Sequence, residues 1–262
     1  MEWHLALLKG ANITKRINAY FFDHFAARVS RGAIVISDYI YFKLASQKKN
    51  NKIIYIPVLT DIEKIDENDN SVNLGYKYFL YCGNIGYYDV VNLILDAYFV
   101  YRSLNPSYKE HLILVLSGEN KLIDNFRSSI DAYVLSKDVN ILSNIDYNIL
   151  ISLYKNSELL LIPLRESEQD KARYPQKIAE YSASGVPIVS NKVGQVGKEF
   201  SHKEDIYFAD DFSSKSIAKA IQELMNDSEL RNKIANKAKE KCLNLFDYKN
   251  YILKSREFIE NL

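Results

Sequence analysis

Three residues stand where a phosphate could be held. In the stretch Arg173-Tyr-Pro-Gln-Lys177-Ile-Ala-Glu180-Tyr-Ser-Ala-Ser-Gly185, a loop runs into a short helix opened by Pro175 and closed by Gly185. Proline suits the first helical position, where its missing N–H would be unpaired anyway. Glycine just past the last turn permits a left-handed cap. Arg173 and Lys177 then fall at or just before the first turn, where the helix dipole is already positive and cations are disfavoured. Two cations there make sense if an anion binds between them. Glu180 follows Lys177 by three residues and shares its helix face. A carboxylate one turn behind a phosphate can accept hydrogen bonds from ribose or sugar hydroxyls. The same residues allow a plainer account: a solvated helix with a Lys177–Glu180 pair, its loop cations neutralised by Glu166, Glu168 and Asp170.

The elements that must position these residues alternate between strand and helix. Apolar strands are expected at 78–82, 111–116, 139–142, 159–163, 186–190 and 206–208, with helices at 90–102, 121–134, 147–155 and 213–226 between and after them. Near-continuous apolar strands separated by helices imply a parallel sheet covered on both faces. The fold class is therefore α/β, a Rossmann-like doubly wound sheet, and ligands on such sheets bind at the carboxyl ends of the strands. Gly83-Asn84-Ile85-Gly86 follows the first of these strands, where glycines let backbone approach a phosphate; a simple tight turn explains it equally well. Ser117-Gly118-Glu119 reads as a turn, and Cys82 as a packed small hydrophobe. The charged stretch 164–174 reads as a loop.

Ahead of this region, residues 15–30 show helical apolar spacing, 33–37 and 52–57 read as strands, and Ser37-Asp38 caps a helix over 39–45. The acidic, aperiodic segment 61–74 reads as a linker. The expected division is a small α/β unit over 1–60, a linker over 61–74, a nucleotide-binding domain over 75–247 and a tail helix over 248–262.

Composition narrows the function classes. The chain has 262 residues, 47% hydrophobic and 26% charged, with a net charge of +1. That supports a sizeable core and gives no bulk electrostatic case for nucleic acid. The two cysteines, Cys82 and Cys242, have no metal or redox spacing and are expected to be free thiols in a reducing cytoplasm. The four histidines are scattered. No apolar run approaches the ~20 residues of a membrane span, and the opening Met1–Gly10 is too short in apolar core for a signal peptide. Neither a Ser-His-Asp arrangement, a phosphate loop nor a dinucleotide glycine fingerprint is present.

The pattern Arg-Tyr-Pro-x-Lys-Ile-x-Glu-Tyr-x-Ala-x-Gly-x-Pro-Ile-Val over 173–189 resembles the donor-binding half of GT-B glycosyltransferases of the group 1, family-4-like type. The resemblance implies that residues 75–247 form a nearly complete C-terminal domain, that 1–60 is the remnant of an N-terminal acceptor-side domain, and that the tail helix crosses back toward it. It implies catalytic roles for Arg173 and Lys177 on a diphosphate and for Glu180 on the ribose, with Gly83, Asn84, Asn144, Ile145 and Gly194 binding the nucleotide-sugar. The family's usual second Glu is Ala172 here, and the Arg and Lys that often follow the first glycine turn are replaced by Tyr87-Tyr88-Asp89. The implied function is transfer of a sugar from a nucleotide-diphospho-sugar to a glycan or lipid-linked acceptor in polysaccharide biosynthesis, with no cofactor and no metal, in the cytoplasm or at the inner membrane face. Only 32 residues precede Ala33, whereas a full N-terminal domain needs about 100. A separate acceptor-domain chain, homo-oligomerisation, an inactive relic and a nucleotide-sugar-binding module therefore remain open readings.

Overall fold

The computed structural model describes residues 13–21, 25, 29–46, 52–68, 72–104, 106–130 and 136–262. Its first unit comprises α1 (Ile13–Phe21), β1 (Gly32–Val35), α2 (Asp38–Ala45) and β2 (Lys52–Tyr55). Strands β1 and β2 pair in parallel, Val35 opposite Tyr55. Helix α2 starts where expected: the Ser37 hydroxyl accepts from the Ile40 N–H, satisfying one of the donors a helix start leaves open.

The larger unit follows as α3 (Ile62–Asp66), β3 (Tyr78–Asn84), α4 (Tyr88–Leu104), β4 (His111–Ser117), α5 (Asn120–Ile130), β5 (Val139–Leu142) and α6 (Tyr147–Lys155). It continues with β6 (Leu159–Ile162), α7 (Glu168–Ala172), α8 (Lys177–Ser184), β7 (Ile188–Asn191), α9 (Gly194–Glu199), β8 (Tyr207–Ala209), α10 (Ser214–Asn226) and α11 (Ser228–Leu245). A 3-10 turn at Tyr248–Tyr251 leads into α12 (Ile252–Glu260). Strands β3 to β8 form one parallel six-stranded sheet in the order β5-β4-β3-β6-β7-β8. That is a doubly wound order, and the direction in which the chain adds strands reverses between β3 and β6.

The period-two geometry of strands explains why these segments are apolar throughout. Tyr78, Leu80, Ile113, Val115, Leu160, Ile162 and Ile188 face one core, shared with α3, α6, α8 and α11. Phe79, Tyr81, Leu112, Leu114, Leu116, Leu159, Leu161 and Val189 face the other, shared with α4, α5 and α10. Both faces are covered, so most positions of the inner strands are buried and alternation is lost from the sequence.

Three expectations change. The segment read as a linker opens with helix α3, capped by Asp61, whose carboxylate accepts from the Lys64 N–H at 3.2 Å. Ile62 and Ile65, three apart on one face, are buried in the first core, so this part of the segment belongs to the larger unit. The charged loop 164–174 contains α7, whose cap is Ser167 accepting from Asp170 N–H at 3.2 Å. Helix α8 begins at Lys177 rather than at Pro175; the Pro175 carbonyl accepts the first bond, from Ile178 N–H at 3.0 Å. The expected stop at Gly185 is observed, at φ 70°. Parts of three other expected segments (22–24 and 26–28 of the first helix, 69–71 of the linker, 131–134 of the helix beginning at 121) lie outside the described residues, as do His4, His24 and Met1–Gly10.

The tail returns to the first unit. Thr60 pairs with Asp247 in a parallel bridge, and Lys254 Nζ donates to the Tyr55 carbonyl at 3.1 Å. Ser37 Oγ donates to the Ala172 carbonyl at 2.5 Å, and Asp38 N–H to Gln195 Oε1 at 2.8 Å. The small unit is thus held on α7, α9 and α12.

If α3 belongs to the core, Ile65→Ala destabilises the whole larger unit by about 2–5 kcal/mol, as other buried Ile-to-Ala changes do. Urea unfolding measures this. A loss under about 0.5 kcal/mol, the size of a surface substitution, returns residues 62–66 to the status of linker.

Candidate functional site

A cleft of about 830 Å³ opens at the carboxyl ends of β3, β4 and β6, which places it at the switch point of the sheet. Its floor is Tyr81 to Asn84 from β3 and Val115 to Ser117 from β4; Ile162-Pro163 and Arg173 to Lys177 form one wall. Asn144, Ile145 and Leu150 close another side, and Ile36, Pro57, Val58 and Leu59 of the small unit and its connector face them.

The residues singled out in the sequence distribute unevenly around it. Arg173, Lys177, Gly83, Asn84, Asn144 and Ile145 all line the cleft. Asn144 has φ 55°, a left-handed conformation that asparagine tolerates better than most residues. Asn84 Oδ1 accepts from Gly86 N–H at 2.8 Å and holds the glycine turn closed. Glu180 is not on the wall. It is buried one turn behind, 8% exposed, with its Oε2 3.1 Å from Lys177 Nζ. Gly194 lies away from the cleft: at φ 54°, an added Cβ would stand 2.8 Å from the Asp170 carbonyl oxygen. Its role in this structure is to let α9 pack against the backbone of α7.

The plain Lys177–Glu180 pair is therefore present, but its carboxylate is not solvated. Burial, which by itself lowers the Lys177 pKa, is outweighed by Cys82 and Glu180, and the ammonium is held above its ordinary value. It is charged at neutral pH. Burial pushes the Cys82 thiol up despite Lys177 nearby, so it stays protonated and is no nucleophile. The Cys82 N–H donates to the Tyr181 hydroxyl at 2.9 Å, fixing the end of β3 against α8.

Sequence reasoning missed the support beneath Arg173. Asp170, whose side chain is completely buried, lies between two arginines: Arg165 Nε at 2.9 Å from Oδ2 and Arg173 Nε at 2.9 Å from Oδ1. Arg165 also reaches Asp89 at 2.8 Å. The Tyr87 ring lies under both guanidiniums, 4.8 Å from Arg173 Cζ and 5.6 Å from Arg165 Cζ. Of the three acids expected to neutralise the loop, Asp170 takes Arg173, while Glu166 pairs with Lys171 at 2.7 Å. The available signal was Ser167 followed by Glu168 and Asp170, a cap with acids in the first turn. Among the described residues no group of three or more His, Cys, Asp or Glu side chains is arranged to hold a metal, and no helix is long and apolar enough to cross a membrane.

Gly194→Ala combines a left-handed φ with a backbone collision and is expected to cost about 1–3 kcal/mol of stability. Thermal unfolding checks it; an unchanged midpoint removes the packing role assigned to this glycine.

With the geometry established, comparison with known proteins is direct. Residues 62–241 match the profile of the family described as Glycosyl transferases group 1. No curated protein sequence matches the chain significantly. Among solved structures, sucrose-phosphate synthase from Thermosynechococcus elongatus superposes with a TM-score of 0.77 at 14% identity, over 99% of this chain and 66% of that one. Anabaena HepE in complex with UDP-glucose gives 0.75 at 18% identity, over 95% and 68%. The pneumococcal O-GlcNAc transferase GtfA in complex with UDP and GlcNAc gives 0.69 at 15%, over 93% and 47%. The chain thus spans about two thirds or less of the length of these structures. The strand order, the switch-point cleft and the match over most of the larger unit agree: this chain belongs to the group 1 glycosyltransferases and has their GT-B architecture.

Proposed function

We propose that the chain is the donor-binding half of a glycosyltransferase, transferring a sugar from a nucleotide-diphospho-sugar to a glycan or lipid-linked acceptor. The observation that carries this is that Arg173, at the end of α7, and Lys177, at the start of α8, both line a switch-point cleft. Neighbouring folds crystallised with UDP or UDP-glucose support the ligand class.

The nucleoside lies over the loops after β4 and β5, near Asn144 and Ile145, and the diphosphate lies toward Arg173, Lys177 and the Gly83-Asn84 turn. As the glycosidic bond to the diphosphate breaks, negative charge grows on the leaving oxygen. Arg173, Lys177 and the α8 dipole stabilise it, already oriented and partly withdrawn from water. Lys177 now contacts Glu180. When the ammonium turns to phosphate, the carboxylate is released to accept from ribose hydroxyls, so each buried charge exchanges one partner for another rather than losing it. The apolar wall of Ile36, Pro57 and Leu59 faces the donor across the cleft, and is the side from which the acceptor comes. On this reading the acceptor half of the site lies on polypeptide beyond the described residues, and the work is done on the cytoplasmic side of a membrane in polysaccharide assembly.

A partner-dependent binding module is the second reading. Phe42 is 67% exposed, Leu253 71% and Ile34, on the short two-stranded sheet, 41%. Exposed apolar groups beside an unpaired strand edge favour association.

Thermal unfolding with UDP, GDP, ADP or CMP tests the donor site. A ligand at about a hundred times its dissociation constant adds ~2.7 kcal/mol, a shift of roughly 5–10 °C for a chain of this size. One nucleotide is expected to give that shift in the wild type and to lose most of it in Glu180→Ala and in Lys177→Ala. Absence of any shift on folded protein contradicts the donor-site reading and leaves the interaction module.

A further inference from the structure

Arg173 is held in an unusual way for a residue that has to meet a phosphate. It is the residue that ends α7, with extended backbone at φ −80° and ψ 154°. Its side chain turns back three residues to Asp170 and forms an ion pair with that carboxylate, Nε 2.9 Å from Oδ1 but outside hydrogen-bond geometry. Among the described residues no hydrogen bond reaches its terminal Nη atoms, and Arg173 lines the cleft. Arg165, by contrast, has both ends occupied: Nε and Nη2 on Asp170 and Nη1 on Asp89. It does not line the cleft.

Tyr87 supplies the other constraint. Its ring lies 4.8 Å from Arg173 Cζ, and its hydroxyl accepts from Gln169 Nε2 at 3.1 Å. The guanidinium is thus flanked by an aromatic ring and paired with a buried carboxylate, on a residue that lines the cleft. Tyr87 and Asp89 stand where the first glycine turn carries no cation of its own. That loop therefore contributes no charge to a diphosphate. Its Tyr87 stacks on the arginine and its Asp89 ties down Arg165.

We propose that Asp170 and Tyr87 are positioning residues that fix Arg173 toward the donor diphosphate, so that recognition of the phosphates, and not of the nucleoside, depends on a buried carboxylate that does not itself line the cleft. This rests on reading the cleft as a nucleotide-diphosphate site. A flexible arginine binding an anion must first give up rotamer freedom; one already clamped has given it up on folding. A guanidinium is suited to this because its planar fork leaves donors at one edge when the other is used.

The test separates phosphate from nucleoside. Binding of UDP and of uridine to the full chain is measured by calorimetry for wild type, Asp170→Asn, Tyr87→Leu and Arg173→Gln, and for each of the first two variants combined with Arg173→Gln. Asp170→Asn is expected to weaken UDP about tenfold by loosening Arg173, and to leave uridine within about twofold. Tyr87→Leu does the same to a smaller degree. In the Arg173→Gln background neither change weakens UDP further, because all three act through one group. Equal weakening of UDP and uridine, or full additivity with Arg173→Gln, means that Asp170 only supports the fold, and overturns the proposal. Tyr87 is only half-buried and lines the cleft, so if Asp170→Asn does not fold, the matter is decided by whether Tyr87→Leu spares uridine and adds nothing in the Arg173→Gln background. A wild type that binds no UDP fails differently: the cleft reading itself falls, and the proposal with it.

Discussion

Two cations on one wall of the cleft, Arg173 at the end of α7 and Lys177 at the start of α8, must each be matched by negative charge, and the larger unit is arranged around that constraint. The dipole of α8 is positive where Lys177 begins it. The surrounding cleft is largely apolar, so the field is weakly screened. What makes the arrangement tolerable without ligand is a set of shared carboxylates. Asp170 serves Arg165 and Arg173 together, and Glu180 serves Lys177. Both acids are buried, and each is held only because its charge is matched. On the proposed reading, the plain pairing of charges and the binding role are two states of the same groups.

The sheet supplies the rigidity this needs. Parallel strands buried on both faces bring Tyr81 to Asn84, Val115 to Ser117 and Ile162-Pro163 to one end of the fold. Gly185 lets the chain leave α8 in a left-handed turn and enter β7 at once. Gly194 lets α9 sit against α7. The α7 helix carries Asp170 on its buried side, and the Ser37 hydroxyl holds its last carbonyl, at Ala172. The small unit thus braces the residue immediately before Arg173. Neighbouring structures of this architecture extend beyond the share this chain covers.

Much of this was legible in the sequence, for identifiable reasons. Strands β5 and β6 and helix α6 could be bounded closely because their apolar runs are flanked by polar residues at each end. The stop of α8 was marked by Gly185, and Pro175 announced its start two residues early. Helices α3 and α7 were hidden because each is five residues long and buries only two side chains, too few to show a period. The Tyr87–Arg173–Asp170 cluster was invisible for another reason: it joins loops after β3 and β6, about eighty positions apart, that meet only because those strands are neighbours. Gly194 was misleading in the opposite sense, since a glycine after a strand looks the same in sequence whether a ligand or another helix approaches it.

The measurement that bears most directly on the central claim is diffraction from crystals of the chain grown with UDP. The account predicts density for the diphosphate with its oxygens at hydrogen-bond distance, about 2.7–3.1 Å, from Lys177 Nζ and the Nη atoms of Arg173. It also predicts that the Lys177–Glu180 contact opens and that ribose hydroxyls replace it. A nucleotide bound elsewhere, or bound in the cleft with its phosphates in solvent and the Lys177–Glu180 pair intact, would contradict it.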